Sequence, residues 1–289
     1  MELRVLHYFL AVTREKSISG AAEALHLSQP TLSRQLREME TELGKQLFVR
    51  SNRTITLTEE GLLLRKRAEE ILALVSRTKD EISLSDEVIA GDIHIGAGES
   101  EGIRFLAKAA KALQEEYPLV HFHNVSADRA TVTEDLDKGL LDFGILFGEI
   151  DTSKYECLKI PYTERFGVLM RRDDPLARKE TITPEDLRGK PLIVSRQPLG
   201  DTSMLRHLEE AQVVSTYNLL FNGSIMVEEG MGYAIGFDHI INVSGDSPLC
   251  FRPLEGQPEI EMHVVWKKYQ VFTKAGQKFL EKLREMAED

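Results

Sequence analysis

Residues 17–61 read SISGAAEALHLSQPTLSRQLREMETELGKQLFVRSNRTITLTEEG. Ser17 predicts an N-cap for a short helix through Ile18–Leu25, and His26-Leu27 a tight connection. Ser28 predicts a second N-cap. Pro30 falls in the first turn of the following helix, where a missing N–H costs nothing. Leu32, Leu36, Met39 and Leu43 recur at helical spacing, and Gly44 supplies the C-cap. Beyond it, Phe48, Val49, Ile55 and Leu57 flank the basic run Arg50-Ser51-Asn52-Arg53. Two short strands joined by a basic turn fit that pattern. The stretch therefore predicts a helix-turn-helix with a wing. Ala21 and Ala22 are small enough to let its second and third helices cross closely.

Working outward, residues 2–14 predict an amphipathic helix with Leu3, Leu6, Phe9, Leu10 and Val12 on its apolar face. On the other side, Thr56 and Thr58 precede Glu59-Glu60, a capping signature for a helix over 59–88. Leu64, Ala68, Ile71, Val75, Thr78 and Ile82 follow at alternating steps of four and three. Such a heptad seam predicts a helix–helix dimer contact. The alternative is a helix packed against its own domain.

Gly91 marks the next boundary. Strands are predicted at 93–96, 120–125, 141–147, 166–170, 191–195, 233–236 and 263–267. Helices are predicted at 104–117, 132–138, 204–211 and 274–287, with another ending at 227–230. Strands alternating with helices imply an α/β domain with a mostly parallel sheet.

Composition narrows the function. The 289 residues carry a formal net charge of -11, which argues against nucleic acid until its distribution is read. Residues 1–58 hold 8 Lys+Arg and 6 Glu, a net +2, whereas residues 91–289 hold 23 basic and 33 acidic groups, a net -10. Only the first block suits a phosphate backbone, and an acidic remainder suppresses indiscriminate binding to DNA. No apolar run is long enough for a transmembrane helix and no leader pattern is evident. The expected location is the cytoplasm, with no membrane partner.

The pattern across 17–61 resembles the LysR-type transcriptional regulators. The resemblance is carried by Ala21-Ala22, Leu27-Ser28-Gln29-Pro30, Ser33-Arg34-Gln35, Glu42-Leu43-Gly44, Leu47-Phe48, Arg50 and Leu57-Thr58. More loosely it extends to GDIHIGAGES at 91–100, LDFGIL at 141–146 and GMGYAIG at 230–236. It implies a multi-domain plan: an N-terminal winged helix-turn-helix (1–58), a linker and dimerisation helix (59–90), and an effector domain (91–289). The last resembles a type 2 periplasmic solute-binding protein with two α/β subdomains, I at 91–161 and 267–289 and II at 162–266. The crossings are expected near Pro161-Tyr162 and Trp266-Lys267. The resemblance further implies a homodimer through the linker helix and a dimer of dimers, or homotetramer, on double-stranded promoter DNA. It leaves contact with RNA polymerase open.

The candidate DNA-reading residues are Ser28, Gln29, Pro30, Thr31, Ser33, Arg34 and Arg37 on the third helix, with Arg50 and Arg53 on the wing. A recognition helix presents its N-terminal residues to base edges. Gln pairs bidentately with adenine and Arg with guanine, while Pro30 and the Thr31 methyl suit a thymine methyl. A capped helix N-terminus also favours a phosphate.

Effector contacts are expected in loops after the carboxyl ends of strands. These give Glu99, Ser100, Ser126, Asp128, Glu149, Ser195, Thr202 and Ser203, with Ser100 the foremost by resemblance. Arg196, Phe237 and Asp238 stand in the same class of loop. Family members often bind small carboxylates, so Glu99, Asp128 and Glu149 near the cleft are a departure. If two of them point inward, the effector carries an amine or several hydroxyls; otherwise they are solvated loop charges. Gly236-Phe237-Asp238 is a second departure, because small apolar residues and a proline often stand there. No cofactor is expected beyond a small-molecule co-inducer.

Rival readings are weaker. No GxSxG, Walker loop, HExxH or strand-bound GxGxxG points to an enzyme. Cys157 and Cys250 lack a Cys-x-x-Cys context. His121 and His123 share a strand face, without further ligands for a metal.

Overall fold

The computed structural model describes residues 1–50, 55–83, 88–196 and 212–288. The chain divides into two compact units, residues 1–85 and 86–289.

The first unit is a small helical domain with a two-stranded wing. Helix α1 (Leu3–Glu15), α2 (Ile18–Ala24) and α3 (Gln29–Leu43) are followed by β1 (Phe48–Arg50), β2 (Ile55–Leu57) and α4 (Glu59–Ser83). Ser17 and Ser28 cap α2 and α3 by accepting from the Gly20 and Thr31 amides. Gly44 ends α3 in the left-handed region at φ 65. Leu6, Phe9, Ala21, Leu32, Leu36 and Leu47 form the buried core. Glu40 Oε1 accepts from the Leu47 and Phe48 amides, at 2.9 and 3.3 Å, which fixes the start of the wing to α3.

The seam of α4 splits between two fates. Ala68 is buried in this unit's own core, with Leu64 and Leu72 packed against it. Ile71 and Ile82 remain exposed, and so do Leu63 and Leu74. Leu64 and Ala68 therefore serve the domain itself, and the outward apolar stripe runs through Leu63, Ile71, Leu74 and Ile82.

The second unit holds two five-stranded sheets. The first has the order β4-β3-β5-β12-β6, from β3 (Gly91–Ala97), β4 (Val120–Ser126), β5 (Phe143–Phe147), β6 (Tyr155–Glu164) and β12 (Ile260–Lys267). Strands β3, β4 and β5 run parallel, and β12 is antiparallel to both β5 and β6. The second sheet has the order β11-β7-β10-β8-β9, from β7 (Phe166–Arg171), β8 (Pro191–Ser195), β9 (Gln212–Tyr217), β10 (Tyr233–Phe237) and β11 (Leu249–Pro253). Here β8, β9 and β10 are parallel, and β7 is antiparallel to its neighbours β10 and β11. Helices α5 (Ile103–Glu116), α6 (Arg129–Asp137), α7 (Leu220–Glu228) and α8 (Lys274–Glu288) accompany them. Phe143 and Phe279 centre the first core, and Val168, Leu192 and Ile235 the second.

The subdomain boundaries differ from those read in the sequence. All of β12 lies in the first sheet, so subdomain II ends before Ile260 rather than at Trp266. The first crossing falls at Arg165, between β6 and β7, rather than near Pro161-Tyr162. Proline reads as a strand stop, but β6 is an edge strand, and its register with β12 shifts between Glu261 and His263. Edge strands and bulges are where a sheet accommodates proline. The helix expected at 204–211 lies outside the described residues.

Candidate functional site

Two sites emerge, one in each unit. In the first, the first two turns of α3 are exposed at Gln29, Pro30, Thr31 and Arg34. Ser28 Oγ accepts from the Thr31 amide at 3.3 Å and lies 2.8 Å from Thr31 Oγ1. The Arg34 side chain is 70% exposed and meets Glu38 only at 3.8 Å. This surface offers an amide, a hydroxyl and a guanidinium within the first two turns of a helix.

Ser33 does not belong to that surface. It is 4% exposed and sits among the core positions Leu32 and Leu36. Three consecutive polar residues look like one face in sequence, but a helix turns about 100° per residue, so Ser33 points inward while Arg34 points out. Its role is indirect: Arg37 Nη2 donates to Ser33 Oγ at 2.9 Å and Nε to its carbonyl at 3.3 Å. Arg37 is thereby held against α3. Arg50 closes β1 opposite Ile55, and Arg53 lies outside the described residues.

The second site lies between the sheets of the second unit. Phe147, at the end of β5, packs on Phe237 with ring centroids 5.1 Å apart, and Phe237 on Phe166 at 4.6 Å. Beside this aromatic floor are two cavities of about 290 and 50 Å³, which share Gly98, Glu99 and Ile240. The larger is also lined by Ser100, Glu101, Asn124, Ser126 and His239. The smaller reaches Ser195, Tyr217 and Asn218.

Ser100 is 8% exposed, and its Oγ has no hydrogen-bond partner. Leaving a buried hydroxyl unpaired is costly, so this atom is poised for a partner from the cavity. Glu99 reaches across from the first subdomain to the second, where its Oε2 accepts from the Leu220 amide at 2.5 Å, at the start of α7. Tyr217, whose hydroxyl donates to the Ile235 carbonyl at 2.6 Å, is held well above its ordinary pKa by burial and by Glu99. Glu101 forms two bonds with Arg104, at 2.7 and 3.1 Å, and the guanidinium holds its carboxyl below the usual range.

The sequence-derived set is only partly brought together. Glu99, Ser100, Ser126 and Ser195 line these cavities. Asp128 does not. It caps α6 by accepting from the Thr131 amide at 2.8 Å, and that bond lowers its pKa. Glu149 lines a separate, open cavity of about 490 Å³ with Cys157 and His263. Both were expected at the cleft because they follow strand ends, but one is spent on a helix cap and the other turns away. Thr202 and Ser203 lie outside the described residues.

Sequence reasoning missed Glu164, Asn124, Tyr217 and His239. Glu164 is 2% exposed at the end of β6, and its Oε1 accepts from the Glu101 amide at 2.8 Å. Burial raises its pKa to about 7, with Glu101 and Asp238 adding repulsion. The available signal was the alternation Leu158, Ile160, Tyr162, Glu164, which carries a carboxylate onto the inward face of a strand.

Two family models match this chain. Residues 3–62 match the bacterial regulatory helix-turn-helix protein, lysR family, and residues 86–288 match the LysR substrate binding domain. A hydrogen peroxide-inducible genes activator of Pectobacterium carotovorum subsp. carotovorum is 31% identical over 195 residues, covering 67% of this chain. That match spans 64% of the Pectobacterium protein's own length. The HTH-type transcriptional regulator BsdA of Bacillus subtilis (strain 168) is 36% identical over 205 residues, 69% of each chain. Full-length CbnR, solved in complex with its target DNA, is similar in fold with a TM-score of 0.76 at 21% identity, covering 99% of this chain and 100% of CbnR.

Proposed function

The chain belongs to the LysR family, and from that premise we propose that it is a sequence-specific DNA-binding transcriptional regulator whose output is set by a small molecule held between its two sheets. The observation that carries this reading is the exposed face of the first two turns of α3. Gln29, Pro30, Thr31 and Arg34 stand out from a helix whose opposite side is anchored in the core by Leu32, Leu36 and Met39. A rigid helix presenting a bidentate amide, a guanidinium and two apolar contacts is the chemistry that reads a major groove. Arg37, steadied by Ser33, lies one turn on and suits a phosphate. CbnR, similar in fold, was solved with its target DNA.

The second half of the reading rests on Ser100. Its unpaired buried hydroxyl borders a cavity of a size that admits a small metabolite. No catalytic step is assigned to that site. The outward stripe of α4 serves as the dimer contact in this reading, and a dimer of dimers on promoter DNA follows from it. Two copies strengthen a reader whose first block carries only a small positive excess, because each added phosphate contact releases counterions.

A gel-shift with the chain's own upstream intergenic DNA tests the proposal. A retarded band that resists excess unrelated duplex is expected. Equal competition by unrelated duplex would overturn sequence-specific regulation.

A further inference from the structure

The lining of the cleft bears on what it holds. Resting on the reading of that cleft as the effector site, we propose that its ligand is a small aliphatic amine, bound as the cation, rather than a carboxylate.

Backbone amides at helix N-termini are the ready anion sites of an α/β domain. At three of the four described α-helix starts in this unit, one of the chain's own carboxylates already takes an amide. Glu164 takes the Glu101 amide at the entrance to α5, Asp128 takes the Thr131 amide of α6, and Glu99 takes the Leu220 amide of α7, at 2.8, 2.8 and 2.5 Å. Two of these three carboxylates come from a distant part of the chain, so they are built into the fold rather than being local turns. An incoming carboxylate would compete with one of them at that amide and meet its charge.

Cationic partners are equally scarce. Among the described residues, neither cavity is lined by a lysine or arginine. Arg104 is committed to Glu101 through two hydrogen bonds, and Arg129 to the Phe147 and Glu149 carbonyls. His239 lines the larger cavity but pairs with Asp238 at 3.5 Å.

What the cavity does offer is acceptors. Glu99 borders both cavities and spends one oxygen, Oε2, on Leu220. Ser100 Oγ is buried without a partner in the same wall. Glu101, Asn124 and Ser126 add further acceptors to the lining. An ammonium group has three donors and no acceptor. It matches a carboxylate oxygen and a hydroxyl, whereas a carboxylate meets Glu99 as a like charge.

The test uses the full-length protein and matched two- to six-carbon amines, alcohols and carboxylates, including butane-1,4-diamine, butane-1,4-diol and succinate. Thermal shift and calorimetry at 150 mM salt read binding, since a ligand of the native state raises the unfolding midpoint. At least one amine is expected to give a saturable rise, while the carboxylate of the same skeleton gives none. Glu99→Gln keeps an oxygen for the Leu220 amide but removes the charge, and is expected to weaken that amine at least tenfold. Ser100→Phe, which removes the hydroxyl and puts a ring into the cavity beside Glu99, is expected to abolish the response. A rise from a carboxylate or alcohol alone, lost in Ser100→Phe, would overturn the amine while leaving the cleft as the effector site. A rise that survives Ser100→Phe would place the ligand elsewhere and overturn the cleft reading itself. No response to any amine of the panel, or an amine response unchanged in Glu99→Gln, would overturn the proposal.

Discussion

Glu164 Oε1 accepts a hydrogen bond from the Glu101 amide at 2.8 Å. The bond joins the last residue of β6, one step before the crossing at Arg165, to the loop that carries Ser100. A buried carboxylate thus underpins the cleft wall at the point where the chain passes from one sheet to the other.

That placement makes stability depend on pH. Burial raises the Glu164 pKa from 4.5 to about 7. The folded carboxyl therefore binds its proton more tightly than the unfolded one. Its contribution is most favourable below about pH 4.5 and is lost as pH rises to about 7, staying lost above that. Glu164→Gln is expected to remove this slope and to stabilise the protein at pH 8 by on the order of 2 kcal/mol. Urea midpoints of both proteins at pH 5 and pH 8 check it, and parallel pH profiles would contradict it.

Ser33 separates positioning from reading on α3. Ser33→Ala removes the acceptor of Arg37 Nη2 but leaves Gln29, Thr31 and Arg34 in place. Affinity is expected to fall several-fold and equally for specific and mutated operators, with a stability cost of about 1 kcal/mol. Fluorescence anisotropy on paired duplexes measures this. A change in base preference would mean that Ser33 itself touches DNA.

Gly61 is a close-approach position. A Cβ there would stand 2.2 Å from the Leu47 carbonyl oxygen and 3.0 Å from Leu57 Cδ2. Gly61→Ala is expected to destabilise the first unit by about 1–3 kcal/mol, because backbone has to move. Loss of DNA binding at a lower temperature than wild type reports it, and an unchanged melting profile would refute it.

The outward stripe of α4 is expected to carry self-association. Ile71→Glu combined with Leu74→Glu places charge on residues that are 37% and 42% exposed and outside the domain core. Sedimentation velocity is expected to show monomers, and operator affinity to fall at least tenfold. A dimer of unchanged stability would move the contact elsewhere.

Much of this was legible in the sequence because local rules suffice for it. Ser17, Ser28 and Gly44 mark their helix ends through caps that depend on neighbours three or four residues away. Strands β5 and β10 announce themselves as short apolar runs. Other features depend on long-range pairing. Strand β12 sits between β5 and β6 only because the chain returns to the first sheet, and nothing within 260–267 states which sheet it joins. The inward turn of Ser33 is set by helix phase, and the reach of Glu99 to Leu220 by a partner distant in sequence. Glu164 was hidden by Pro161, whose presence disguised an edge strand as a boundary.

Selection from a random duplex library, run in parallel with the full-length protein and with Arg34→Ala, tests the central claim most directly. The wild-type chain is expected to enrich a defined motif. Arg34→Ala is expected to bind still but to lose base preference at one or two positions of each half-site, since one bidentate contact contributes about 1–3 kcal/mol of discrimination. Failure of the wild type to enrich any motif, or identical motifs from both proteins, would contradict the assignment of the α3 face as the reader of DNA.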